Sequence, residues 1–152
     1  MLSAELGDRC ADFVHSAECC VGGQMCGEEI EMTDYPITER SFDFAVKVVE
    51  LYKKLISDKK EFILSRQMLR AGTSIGANVA EAQRGQSKPD FISKINIALK
   101  EAIETVYWLR LLNRTGYISD AQFKELNSDI EGIVSILTAI GRTASANIKN
   151  KK

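Results

Sequence analysis

Seven apolar residues near the C-terminal end constrain the fold more than anything else in the chain. Phe123, Leu126, Ile130, Ile133, Leu137, Ile140 and Ala144 fall at i, +3, +7, +10, +14, +17 and +21, three heptads without a miss. A strand alternates with period two, so this spacing belongs to a long amphipathic helix, and its apolar stripe needs other helices to cover it. Ser119-Asp120-Ala121-Gln122 stands just ahead of it and reads as a capping box that opens the helix.

Three further segments carry helical period. The first spans about residues 38–57, with an expected seam of Phe42, Ala45, Val49, Tyr52 and Ile56 and with Thr38, Ser41 and Asp43 as capping candidates. The second spans about 62–84, with Met68, Gly72, Ile75, Val79 and Ala82 inward and Gly85 as its C-cap. Its middle is rich in small residues, from Ala71 to Ala77, which suits close approach of another helix. The third opens at Ser87-Lys88-Pro89-Asp90, with serine at the N-cap and proline in the first turn, and runs to about 113. Its stripe is Phe91, Ile95, Ala98, Ala102, Val106 and Leu109. With Ile97, Trp108 and others beside it, the apolar surface is wider than one bundle face uses. Thr115-Gly116-Tyr117 closes it. Links of about four to six residues make successive helices antiparallel. The expected fold is all-α, an up-down-up-down four-helix bundle.

Charge divides the chain. Residues 1–37 hold eight acidic residues and one basic, whereas 38–152 hold 13 acidic and 19 basic. All four cysteines (Cys10, Cys19, Cys20, Cys26) and the single histidine, His15, lie in the first part, without a Cys-x-x-Cys pair. Residues 1–37 therefore read as an acidic, unstructured extension, 38–148 as the bundle and 149–152 as a basic tail. Gly27-Glu28-Glu29 can be encoded by a purine-rich ribosome-binding site ahead of Met32, so Met32 is also a plausible initiator. The intact mass of protein from the native gene decides between the two. No basic-plus-apolar leader and no apolar run near ~18 residues is present, so a cytoplasmic protein without a membrane span is expected.

Few residues here suit catalysis. A di-iron bundle uses Glu-x-x-His on two helices, and no helix carries a histidine. No Gly-rich phosphate loop and no Ser/His/Asp set occurs. The expectation is a non-enzymatic protein without a cofactor. Basic residues of the +6 portion could meet phosphates, with Lys53, Lys54, Lys59, Lys60, Arg66 and Arg70 as the leading candidates.

The stretch Gln67-Met-Leu-Arg70-Ala-Gly-Thr-Ser74-Ile75-Gly-Ala-Asn78-Val-Ala80-Glu81 resembles the R-x-x-x-S-I-x-x-N-I-A-E hallmark of the four-helix bundle proteins known as 23S rRNA intervening-sequence proteins. Ile97-Ala-Leu-Lys-Glu101-Ala-x-Glu104-Thr-x-Tyr-Trp108 resembles that family's third helix, and the likeness covers about 39–144. It implies an antiparallel bundle assembling as a homopentamer. Arg70, Ser74, Ile75, Asn78, Ala80 and Glu81 would be hallmark residues at a helix contact. Ile97, Glu101, Glu104 and Trp108 are candidates for the subunit interface. A related branch, the accessory variability proteins of diversity-generating retroelements, is strongly basic, binds nucleic acid and engages a reverse transcriptase. The partners implied are therefore RNA or DNA, or a reverse transcriptase or other RNA-handling protein. The alternative is a purely structural or protein-binding scaffold.

Overall fold

The computed structural model describes residues 36–149, and the expectations for residues 1–35 with their cysteines and for the last three residues lie outside them, whereas Pro36 and Ile37 belong to the first helix and not to an unstructured extension. Four helices follow one another: α1 (Pro36–Asp58), α2 (Leu64–Ala82), α3 (Lys88–Arg114) and α4 (Asp120–Lys149). No strand occurs among the described residues.

Cross-helix contacts fix the antiparallel order. The start of α1 meets the end of α2, where Gln83 Nε2 donates to Thr38 Oγ1 at 2.7 Å. The end of α2 meets the start of α3 through the Glu81–Lys94 ion pair. Asn113 Nδ2 donates to Asp120 Oδ1 at 2.9 Å where α3 turns into α4. Lys47 of α1 reaches Glu125 and Asp129 of α4, which closes the circle. The core between the helices includes Phe44, Leu55, Met68, Ile75, Ile95, Leu109, Ile130 and Leu137, each under 2% exposed.

Local signals placed α3 and α4 well. Ser87 Oγ accepts from the Asp90 N–H at 3.3 Å. The capping box of α4 is reciprocal: Ser119 Oγ accepts from the Gln122 N–H, and the Gln122 side chain accepts from the Ser119 N–H at 3.1 Å. Gly116 takes φ +76 after α3, the left-handed residue that ends a helix.

Four details differ from the sequence reading. The α1 seam is shifted by one residue, to Ile37, Ser41, Phe44, Val48, Leu51 and Leu55, and Phe42 is 65% exposed. Ser41 can be buried because its hydroxyl donates to the Thr38 carbonyl at 2.9 Å, and this small residue faces Gly76. Thr38 lies inside α1 rather than capping it. In α3, Thr105 and not Val106 is buried, its hydroxyl satisfied by the Glu101 carbonyl at 2.8 Å. Gly85 has no left-handed φ. It sits in a tight place instead, since an added Cβ would lie 3.1 Å from the Ala82 carbonyl and 3.2 Å from the Phe91 nitrogen. The small-residue run of α2 is continuous helix, and Gly72 packs so tightly that an added Cβ would lie 2.9 Å from both Val48 methyls.

Candidate nucleic-acid interface

Antiparallel order gathers the ends of α1 and α3 and the starts of α2 and α4 at one pole of the bundle. Lys53 and Lys54 lie in the last turns of α1, Lys59 and Lys60 in the turn after it, and Arg66 and Arg70 four residues apart on α2. All six are exposed. The fold adds Arg110 and Arg114 from α3 and Lys124 from α4, also exposed. These three are distant in sequence, and only the helix order brings them to the same pole.

Four carboxylates at this pole accept hydrogen bonds. Asp58 accepts from the Ser57 hydroxyl, Asp120 from Asn113, and Glu125 from Lys47. Glu61 is buried, and its two oxygens accept from the N–H groups of Ile63 (3.0 Å), Leu64 (2.9 Å) and Ser65 (2.6 Å). Burial pushes its pKa up, but the three N–H donors outweigh burial and hold it below the usual carboxylate value. By contrast, none of the nine cations joins an ion pair among the described residues. Nine exposed cations outnumber these four carboxylates, which keep their charge when they accept hydrogen bonds, and the excess of positive charge fits a polyanion.

Apart from Arg70, which belongs to the pole, the hallmark residues lie further along α2. Ile75 is fully buried, Ser74 and Asn78 are half-buried, and Arg70 and Ala80 are exposed. Asn78 Nδ2 donates to the Ser74 carbonyl of its own helix at 2.8 Å rather than across the seam. Glu81 pairs with Lys94, whose pKa it raises by hydrogen bonding and charge. On α3, Trp108 Nε1 donates to Glu104 Oε1 at 3.0 Å, and Ile97 is exposed. Glu101 Oε2 is buried without a hydrogen-bond partner among the described residues. Among the described residues no three His, Cys, Asp or Glu side chains gather as metal ligands, and no helix is long and apolar enough to cross a membrane.

A model of the family described as 23S rRNA-intervening sequence protein matches residues 33–139. The chain belongs to this family. A solved structure, described as a protein of unknown function from the S23 ribosomal protein family of Bacteroides thetaiotaomicron VPI-5482, is 52% identical with a TM-score of 0.69. The match covers 69% of this chain and 97% of that one. No curated protein matches. The span shared with the 23S rRNA-intervening sequence proteins contains both the cationic pole and the α2/α3 seam.

Six of the nine pole cations are the leading candidates from sequence, and neither the exposure of Phe62 and Ile63 nor the capping by Glu61 is among the expectations. A signal was present for the two apolar residues: a Phe-Ile pair directly after Lys59-Lys60 in a short polar link.

Proposed function

We propose that this protein is a non-enzymatic, cytoplasmic homo-oligomer that binds RNA through the cationic pole of its bundle. The observation that carries this reading is the set of nine exposed cations at one pole, none of which joins an ion pair among the described residues. The family's description, which refers to 23S rRNA, favours RNA over DNA. Repeating the pole in an oligomer, a pentamer by the family resemblance, would multiply weak phosphate contacts. An RNA-handling protein such as a reverse transcriptase would be a partner delivered to the same RNA.

Subunits would meet on the outer side of α3. Ile97, Ile103 and Tyr107 are exposed there, and Tyr107 stands edge-on to Trp108 at a centroid distance of 5.0 Å. The buried, unpartnered Glu101 oxygen supports the same face, since such a group costs stability unless a donor reaches it. Ile97→Asp or Trp108→Asp should give smaller species with unchanged helical content by light scattering and circular dichroism. A monomeric parent would remove the assembly claim.

Salt titration tests the RNA claim. Phosphate contacts release counterions, so affinity should fall steeply between about 50 and 200 mM salt. Charge reversal at Lys53, Lys54, Lys59, Lys60, Arg66 and Arg70 should abolish binding. Exposed apolar residues on α1 (Phe42, Val46) and α3 support a second reading, a protein-binding scaffold, and absence of RNA binding at low salt would select it.

A further inference from the structure

Phe62 and Ile63 stand at the crest of the turn between α1 and α2, 51% and 75% exposed. Single exposed apolar residues are ordinary on a protein surface. These two, however, are consecutive and lie amid Lys59, Lys60 and Arg66. The turn that carries them is tightly held. The Lys59 and Glu61 N–H groups both bond to the Leu55 carbonyl, at 3.2 and 3.1 Å. Lys60 adopts φ 54, which reverses the chain. Glu61 then buries its carboxylate under the first N–H groups of α2, and Ser65 Oγ donates back to the Glu61 carbonyl at 2.7 Å. The chain thus spends a buried, fully hydrogen-bonded carboxylate on a turn whose outward residues are an aromatic ring and an isoleucine.

The same carboxylate decides how an anion can be met here. A free helix N-terminus attracts phosphate through its N–H groups. At α2 three of those groups already bond Glu61. Phosphates would therefore be met by the long side chains around the turn, and the ring among them is left to meet something flat and apolar.

We propose that the Lys59–Arg66 turn is a binding site for single-stranded RNA, with Phe62 stacking on an unpaired base and Lys59, Lys60 and Arg66 holding the flanking phosphates. This rests on the RNA reading above and adds the strand state. Charge alone does not distinguish single strands from duplexes. Stacking does, because a duplex hides its base faces and offers only backbone and grooves to a protruding ring. The backbone beneath the ring is already held by the turn's hydrogen bonds, so little backbone freedom is lost when a base lands on it.

The test uses the full 152-residue chain and fluorescence anisotropy. The probes are a labelled oligouridine of about 12 nucleotides and a duplex RNA of equal length, at about 50 mM salt. The single strand should bind more tightly than the duplex. Phe62→Ala should weaken single-strand binding about tenfold, leave duplex binding and the melting temperature unchanged, and be rescued by Phe62→Tyr. Lys60→Glu should weaken both RNAs. If both RNAs bind but Phe62→Ala changes neither, or the duplex binds as tightly as the single strand, the stacking site is overturned and the general RNA reading survives. If neither RNA binds, the RNA reading falls and the stacking site falls with it.

Discussion

Helix α1 is joined to its two neighbours in opposite ways. Against α2 it packs dry and close: Val48 sits over Gly72, Ser41 over Gly76, and the Glu61 turn locks the two helices at one end. Against α4 its contact is the smallest in the bundle. There a groove lined by Arg40, Asp43, Lys47, Ser128 and Asp129 separates the helices, and Lys47 spans it to Glu125 (3.1 Å) and Asp129 (2.8 Å). Removing Cβ atoms lets helix backbones approach, and the hydrophobic contact then extends along the joint. Charged side chains hold helices apart at the length of a lysine and leave water between them. The first joint should carry much more of the stability than the second, and it also mounts the Phe62 turn.

The comparison breaks most directly at Gly72. Leucine there would drive a side chain into Val48, whose β-branched methyls are stiff and fully buried. The expected cost is about 3 kcal/mol, at the upper end for overpacking. Val48→Ala in the same chain should recover part of it. Urea melts of the two singles and the double give the coupling, and strict additivity would mean that α1 and α2 are not in contact at this point.

Glu61 should come next. Glu61→Ala leaves three N–H groups at the start of α2 without their acceptor and should cost about 2 kcal/mol. Its pKa is lower folded than the reference of 4.5. The stabilisation is therefore complete above that value and is lost as pH falls through the folded pKa. The parent should lose stability on acidification below about 4.5, and Glu61→Gln should flatten this acid limb. Identical acid limbs would show that the carboxylate is not what holds the turn.

Gly76 sharpens the contrast within the same joint. An added Cβ would lie 3.4 Å from the Ser41 carbonyl, an ordinary contact. Alanine there should therefore gain the helix propensity that glycine forgoes, up to about 1 kcal/mol. Opposite signs for Gly76→Ala and Gly72→Leu in thermal melts would separate the close point of the joint from its looser neighbour.

What the sequence makes legible follows from how local each cause is. The stripe of α4, the Ser87 cap and the Ser119/Gln122 box act within a few residues, so spacing alone reveals them. The register of α1 is different. Phe42 and Phe44, or Val48 and Val49, serve equally well by apolarity. The choice is made against α2, where Val48 fits over Gly72 and the small Ser41 faces Gly76. The role of Glu61 is not legible in the sequence, because glutamate is not a customary cap and its reach depends on the left-handed Lys60 before it. The cationic pole was half legible. Lys53 to Arg70 cluster along the chain, while Arg110, Arg114 and Lys124 join them only once the helices alternate in direction.

The smallest effect is expected at Lys47, which nonetheless makes two ion pairs. Its side chain is 41% exposed, and its partners Glu125 and Asp129 are 66% and 39% exposed. Water competes for all three charges, and holding a lysine in one geometry costs rotamer freedom. Exposed pairs of this kind typically contribute less than about 1 kcal/mol. Hydrogen bonds to Asp129 and then Glu125 raise the lysine pKa above its reference of 10.5. That contribution is complete below 10.5 and is lost only as pH rises through the folded value, so no pH dependence should appear near neutrality. Salt is the sensitive variable. Lys47→Ala should lower stability by about 0.5 kcal/mol at low ionic strength, and the difference should vanish near 1 M salt, where screening acts over about 3 Å. A loss as large as that of Gly72→Leu, insensitive to salt, would mean that the α1/α4 joint is as dry as the α1/α2 joint.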